Sequence, residues 1–453
     1  MAKRLFGTNG VRGVVNDDMT SELGLRLGKA IGEFFGGTVA IASDTRVSGD
    51  MIKSAVSAGL MAMGCRVLDL GVIPTPAIQY FVKTHNHVSG GVMITASHNP
   101  PEFNGIKCIA PDGTELHRSD EEQIEKKYEE DVPCKPWSEV GTRDEVLGAA
   151  DSYVDAVVSL VDSETIRAAN LVAVLDCANG AAYYTAPLLL SKLNVRAITL
   201  NANPQGEFPG HPSEPTEDNL AILIETIKHT KADIGIAHDG DADRTVFITE
   251  KGEFISGDKS LALMAEMAVS KKGGGKIVTP VSSSSMVEDV VVKAGGEVIY
   301  TAVGSPVVAR KMIDTDAIFG GEENGGLIFP DMQYCRDGAM TAAKMLEYIA
   351  DKGSLQERID ALPAYFTDKR KLECPAEMRE SLMEHLKKLN AARTTDSTDG
   401  LKIIYPDGWV LLRPSGTEQI FRIYSEAKDT ETAEKRGAYY EGIVKDFLNS
   451  YKI

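Results

Sequence analysis

Short apolar runs alternate along this chain with longer amphipathic stretches, and the arrangement recurs three times. The runs "TVAIASD" (38–44), "LVAVLDC" (171–177) and "KIVTPVS" (276–282) each predict a buried β-strand. Near-continuous apolar residues rich in valine suit a strand covered on both faces. A helical stretch follows each. A second strand comes next, in "CRVLDLG" (65–71), "VRAITLN" (195–201) and "GEVIYTAVG" (296–304). After another helical stretch a third run follows, in "GGVMIT" (90–95), "ADIGIA" (232–237) and "DAIFGG" (316–321). Strand, helix, strand, helix, strand predicts a βαβαβ unit with a largely parallel sheet.

The pattern stops about 90 residues before the end. "RESLMEHLKKLN" (379–390) has helical spacing, and the stretch from "TTDSTDGLKIIY" to "FRIYSEA" reads as several strands with turns at Asp399-Gly400 and Asp407-Gly408. A last helix is expected over 430–450. The expected fold class is α/β, with three related βαβαβ units of mixed, largely parallel sheets and a smaller C-terminal α+β domain. The expected domains are 1–150, 151–252, 253–366 and 367–453. Each third strand runs into a polar turn: "TASHNP", "HDGDADR" and "GEENGG". Open α/β sheets bind ligands at the carboxyl ends of their strands, so three such ends could face one cleft.

The length of 453 residues, at roughly 150 per domain, suits three or four domains. No apolar stretch reaches the ~18 residues that would span a membrane, and "MAKRLFGTNG" has no signal core. The six cysteines are scattered without a CxxC pair, which predicts reduced thiols in a cytoplasmic protein. A formal net charge of −18 argues against non-specific nucleic-acid binding, and with no spanning stretch no membrane partner is expected. It leaves room for a small anion, because local arginines act over shorter distances than the screened remainder.

"DGDADR" (239–244) sets Asp239, Asp241 and Asp243 at alternate positions. Three close carboxylates repel one another unless a cation sits between them, and oxygen ligands suit a hard ion such as Mg²⁺. The plain alternative is a solvated turn. A calcium loop is excluded, because Arg244 stands at the sixth position, where that loop needs glycine. In "TASHNP", Ser97 could cap a following helix, act as a hydrolase nucleophile beside His98, or carry a phosphoryl group. The hydrolase reading lacks the GxSxG elbow. A seryl phosphate needs a cation and an arginine, and the aspartate loop with Arg244 offers both.

"GEENGG" offers Glu322 and Asn324 to sugar hydroxyls, or is a surface turn. "RPSGTEQIFRI" brings Arg413, Ser415, Gly416, Thr417 and Arg422 into a possible anion nest. Arg12 in "GTNGVRG" is either a phosphate contact or part of a turn. "GGGK" (273–276) lacks the phosphate-loop spacing.

Taken in order, GTNGVRG, TASHNP, DGDADR, GEENGG and RPSGTE closely resemble the α-D-phosphohexomutase family over nearly the whole chain. The resemblance implies four domains around one cleft and an isomerase that moves a phosphoryl group within a hexose phosphate. It implies that Ser97 is the phosphoserine, and that Asp239, Asp241, Asp243 and the Ser97 phosphate hold one Mg²⁺ per chain. Arg244 would stand beside the reacting phosphate and Arg12 near the active serine, with the proton-moving role open among Lys107, His98 and Arg12. Glu322 and Asn324 would read sugar hydroxyls, and Arg413, Ser415, Gly416, Thr417 and Arg422 would grip the non-reacting phosphate. A hexose 1,6-bisphosphate would be activator and intermediate.

Departures from the family pattern are Gly326, where many relatives have histidine, Asn324, where serine is frequent, and Gln419, where proline is frequent. "LFGTNGVRGVVNDDMT" and the GEENGG form resemble the archaeal-type phosphoglucosamine group. The expected substrates are therefore glucosamine 6-phosphate and glucosamine 1-phosphate, with mannose or glucose phosphates as the alternative. A non-catalytic sugar-phosphate binding protein is the rival class, and it would be marked by loss of Ser97 or of a metal carboxylate. Monomer and homo-oligomer are both open.

Overall fold

The computed structural model describes residues 5–7, 9–415 and 419–450. The chain divides into two compact units. One is Met1–Ser260 with Asn324–Asp360, and the other is Leu261–Glu323 with Ala361–Ile453.

Among the described residues, two sheets lie wholly within the first unit. In one, the order is Val11–Val14, Phe103–Ile109, Gly90–Ile94, Thr38–Ser43, Arg66–Val72 and Arg143–Glu145. Thr38–Ser43 pairs in parallel with both Arg66–Val72 and Gly90–Ile94. The first strand of the repeat thus lies between the third and the second. The other sheet repeats this order: Val172–Asp176 lies between Ile234–His238 and Arg196–Leu200, in parallel with both. Helices cover the sheets, which explains why these strands read as continuous apolar runs. Val39, Ile41, Val92 and Ile94 are all completely buried.

A strand beyond the predicted three follows each of these repeats. Phe103–Ile109 returns antiparallel to Gly90–Ile94, and Thr245–Thr249 returns antiparallel to Ile234–His238. The "TASHNP" and "DGDADR" turns are therefore hairpin connections between a parallel strand and its antiparallel neighbour.

In the second unit the repeat appears again. Gly275–Pro280 pairs in parallel with Gly296–Thr301 and with Phe319–Gly321. The C-terminal part is an antiparallel sheet in the order Phe366–Glu373, Ile420–Ala427, Gly408–Pro414, Leu401–Tyr405 and Thr395–Asp396. The helix Thr430–Ser450 buries Tyr440, Val444 and Leu448 against Leu401, Ile403, Val410 and Ile423 of that sheet. Each such aliphatic side chain contributes roughly 1.5–3 kcal/mol. No helix among the described residues is long and apolar enough to cross a membrane.

Candidate active site

Ser97 lies just past the Gly90–Ile94 strand, with φ 53°. A serine rarely adopts this left-handed conformation, so the surroundings must hold it there. The Ser97 amide donates to Thr95 Oγ1, which in turn donates to Asp44 Oδ2. Arg46, almost fully buried, supplies the rest of the frame. Its Nε donates to Asp44, Nη1 to the carbonyls of Pro100 (2.6 Å) and Phe103 (2.9 Å), and Nη2 to those of Ser97 (2.9 Å) and Asn99 (2.6 Å). A guanidinium has five N–H donors, and all five are engaged. No helix follows Ser97, because the chain turns into the Phe103–Ile109 strand. This overturns the helix-cap reading.

The returning strand explains how Lys107 comes near. Its register sets Lys107 opposite Met93, and the Lys107 ammonium donates to Asp241 Oδ2 at 2.6 Å. Arg12 sits on the next strand, opposite Gly105, and its Nη1 donates to Asn99 Oδ1 (2.8 Å) and to the Ala96 carbonyl (3.2 Å).

The aspartate turn meets this loop directly. Ser97 Oγ donates to Asp239 Oδ2 at 2.8 Å. Gly240 is required for that approach, since a Cβ there would lie 2.5 Å from the Ser97 carbonyl oxygen. Arg244 donates from its amide to Asp239 Oδ1 and from Nε to Asp239 Oδ2, both at 3.1 Å. Thr75 Oγ1 donates to Asp241 Oδ2 at 2.6 Å, and Arg336 Nη2 donates to Asp243 Oδ2. One oxygen of each of Asp239, Asp241 and Asp243 lies within 4.8 Å of the others. The buried Oδ1 atoms of Asp241 and Asp243 have no hydrogen-bond partner.

Electrostatics follow from this crowding. Burial, then Asp243 and Asp241, push the Asp239 carboxyl up to about 7, against the pull of Arg244. Asp241 goes the other way: burial opposes ionisation, but Lys107 and Thr75 outweigh it and hold the group well below the usual range. Burial, then Arg244 and Arg12, push His98 down to about 2. His98 Nδ1 is 3.4 Å from Ser97 Oγ, so proximity exists, but an imidazole this resistant to protonation is a poor base for a serine hydrolase.

The aspartate loop fits a divalent cation on its own evidence. Two buried carboxylate oxygens lack partners, and a third carboxyl is forced toward its neutral form by burial and by its acidic neighbours. Hard oxygen donors in this number suit Mg²⁺.

The remaining candidates divide between the units. Asn324 is in the first unit, where its Oδ1 accepts from the Gly326 amide at 3.0 Å. Glu322 is in the second; it is buried and its Oε1 accepts from the Gly304 amide at 3.0 Å. In the C-terminal sheet, Arg422 stands opposite Arg413 on one side and Lys371 on the other. Like charges directly opposite are destabilising, so this row favours an anion. Arg413 also pairs with Asp399 at 3.2 Å, and the Ser415 carbonyl accepts from Arg379. Gly416 and Thr417 lie outside the described residues.

In the first unit Arg46, Thr75 and Arg336 join the Ser97 and aspartate loops, and in the second Lys371 joins the arginine row; no motif in the sequence marks these four. Arg46 has a local partner in Asp44, but its contacts to the Ser97 loop, and the placement of Thr75, Arg336 and Lys371, come only from tertiary pairing. Arg336 alone has a local hint, since it adjoins Asp337, which caps the helix Gly338–Lys352.

Four family models match along the chain. They are phosphoglucomutase/phosphomannomutase α/β/α domain I over residues 3–133, domain II over 151–252, domain III over 256–366, and the C-terminal domain over 365–438. The chain is 43% identical over 444 residues to a phosphoglucomutase/phosphomannomutase of Thermococcus kodakarensis, covering 95% of this chain and 96% of that protein. It is 43% identical over 443 residues to a phosphoglucosamine/phosphogalactosamine mutase of Sulfurisphaera tokodaii, with the same coverage. A solved structure of a phosphoglucomutase/phosphomannomutase family protein from Burkholderia thailandensis superposes with a TM-score of 0.86 at 27% identity, covering 99% of this chain and 98% of that one.

Proposed function

We propose, from the premise that this chain belongs to the phosphoglucomutase/phosphomannomutase family of α-D-phosphohexomutases, that it interconverts glucosamine 6-phosphate and glucosamine 1-phosphate. The observation that carries the chemistry is the 2.8 Å contact between Ser97 Oγ and Asp239, at a loop whose neighbouring carboxylates keep unpartnered oxygens. A serine hydroxyl beside cation-seeking carboxylates, Arg244 and Lys107 is suited to carry a phosphoryl group.

In the proposed reaction Ser97 starts as its phosphate ester. A sugar hydroxyl oxygen forms the new bond to phosphorus and the bond from phosphorus to Ser97 Oγ breaks. The hydroxyl proton leaves the sugar and a proton reaches Oγ, so the serine is restored. The hexose 1,6-bisphosphate then turns round and returns its other phosphoryl group to Ser97. Such transfer depends on positioning and charge neutralisation more than on covalent chemistry. Asp239, Asp241 and Asp243 would hold Mg²⁺, which supplies positive charge to the phosphoryl oxygens. Arg244 and Arg12 would steady the same oxygens. Lys107 is the group we assign to proton movement, because His98 is held neutral by burial and by Arg244, Arg12 and Arg336. Glu322 and Asn324 would read the sugar hydroxyls, and Arg413, Arg422 and Ser415 would grip the far phosphate. The opposed arginine pair supports that last role.

The glucosamine preference is supported by the similarity to the Sulfurisphaera tokodaii protein. A second reading, preference for mannose or glucose phosphates, is favoured by the equal identity to the Thermococcus kodakarensis protein. Comparing kcat/KM on glucosamine, mannose and glucose phosphates decides between them. Glucosamine phosphate is expected to lead, and a mannose or glucose preference of about tenfold, some 1.4 kcal/mol in transition-state binding, would reverse the choice.

A further inference from the structure

The two oxygens of Asp241, and likewise those of Asp243, have different surroundings. At Asp241, Oδ2 accepts from Lys107 and Thr75, both at 2.6 Å, while Oδ1 has no partner. At Asp243, Oδ2 accepts from Arg336, while Oδ1 makes no hydrogen bond and has Arg244 Nε 3.8 Å away. In both residues a protein cation occupies one oxygen and leaves the other to a ligand.

That division bears on which ion fits. Ca²⁺ takes about 6–8 oxygens at roughly 2.3–2.6 Å and often uses both oxygens of a carboxylate. Mg²⁺ demands near-octahedral geometry at about 2.0–2.1 Å, which suits single-oxygen ligation. We propose that Arg336 is a positioning residue that sets the cation choice of this site. By holding Oδ2 of Asp243 it limits that carboxylate to one ligating oxygen and so disfavours calcium. The proposal rests on the divalent-cation reading of the loop given above.

The fold delivers Arg336 to this task by a specific route. Its backbone bridges antiparallel to Ile328, and the next amide, Asp337, donates to the Leu327 carbonyl. Its side chain then crosses Gly326. A Cβ on Gly326 would lie 2.2 Å from Arg336 Cδ and 3.0 Å from Cγ. The glycine leaves the space through which the guanidinium reaches Asp243. Gly326 has no left-handed φ, so alanine there is compatible with the backbone and acts on the Arg336 arm.

The test is calorimetric titration of MgCl₂ and of CaCl₂ into the full-length wild type and into Arg336→Met, Arg336→Lys and Gly326→Ala, with thermal melts to establish folding. Removing a positive charge raises both affinities together, so the ratio between them isolates the geometric effect. The magnesium-to-calcium affinity ratio is expected to fall about tenfold in Arg336→Met and in Gly326→Ala, and to return toward wild type in Arg336→Lys. A ratio within about twofold of wild type in folded Arg336→Met overturns the proposal. Should Arg336→Met not fold, the same outcome in Gly326→Ala overturns it. A wild type that binds neither cation refutes the metal reading itself, which is a distinguishable result.

Discussion

Arg46 is the residue on which the Ser97 loop depends most, and Arg46→Lys is the sharpest perturbation of it. The guanidinium engages five acceptors, four of them carbonyls between Ser97 and Phe103 and one the Asp44 carboxylate. A lysine ammonium has three donors, so at least two acceptors lose their partner. Hydrogen bonds from a charged donor contribute about 1.5–3 kcal/mol each, which sets a ceiling of roughly 3–6 kcal/mol. Water and relaxation recover part of this, so about 3 kcal/mol is the working figure. At 1.4 kcal/mol per factor of ten, the segment 97–104 should open on the order of a hundredfold more often. Amide hydrogen exchange on that segment reads the opening directly. The left-handed backbone of Ser97 should relax at the same time, and displacing a reacting group by about 1 Å costs on the order of a hundredfold in rate. Unchanged exchange across 97–104, with kcat within about twofold of wild type, would refute the idea that Arg46 builds the site.

Other predictions follow from the same contacts. Arg413→Ala or Arg422→Ala should raise KM strongly, each removing charge-assisted hydrogen bonds worth about 1.5–3 kcal/mol, and an unchanged KM in both moves the phosphate grip elsewhere. Asp399→Ala should also raise KM, because Asp399 both pairs with Arg413 and accepts from the Val303 amide; steady-state kinetics check this. Metal affinity should depend on pH through Asp239. Its carboxyl is raised to about 7 in the metal-free protein, so it is largely protonated below that pH, and a cation must displace the proton. Affinity for Mg²⁺ should therefore rise with pH and level off above neutrality, with proton release visible in calorimetry run in two buffers of different ionisation enthalpy. Binding at pH 6.5 with no proton release, at about the affinity seen at pH 8, would contradict it.

Much of the fold could be read from the chain because parallel strands buried on both faces leave a strong one-dimensional signal. "TVAIASD" and "LVAVLDC" are such runs, and both form central strands. The antiparallel neighbours leave a weaker signal. Phe103–Ile109 carries Asn104 and Lys107 among its apolar residues, and the reason is tertiary, since Asn104 donates to Ser48 and Lys107 to Asp241. Phe366–Glu373 alternates exposed and half-buried residues and begins in a predicted domain boundary, so its pairing with Ile420–Ala427 left little trace.

In the site, the carboxylates announced themselves by spacing, while the residues that hold them did not. Thr75, Arg46 and Arg336 lie 166, 51 and 93 positions from the Asp241, Ser97 and Asp243 atoms that they contact. No local pattern encodes those pairings. The "SH" neighbourhood first suggests a hydrolase; the missing GxSxG elbow already speaks against that, and folding adds Asp239 against Ser97 Oγ.

The central claim is that Ser97 carries the phosphoryl group, and peptide mass analysis tests it most directly. After incubation with a hexose 1,6-bisphosphate, the peptide containing Ser97 should gain the mass of one phosphoryl group, and turnover should vanish in a folded Ser97→Ala chain. Absence of phosphate on Ser97 under those conditions, or near-normal turnover by Ser97→Ala, would contradict the account.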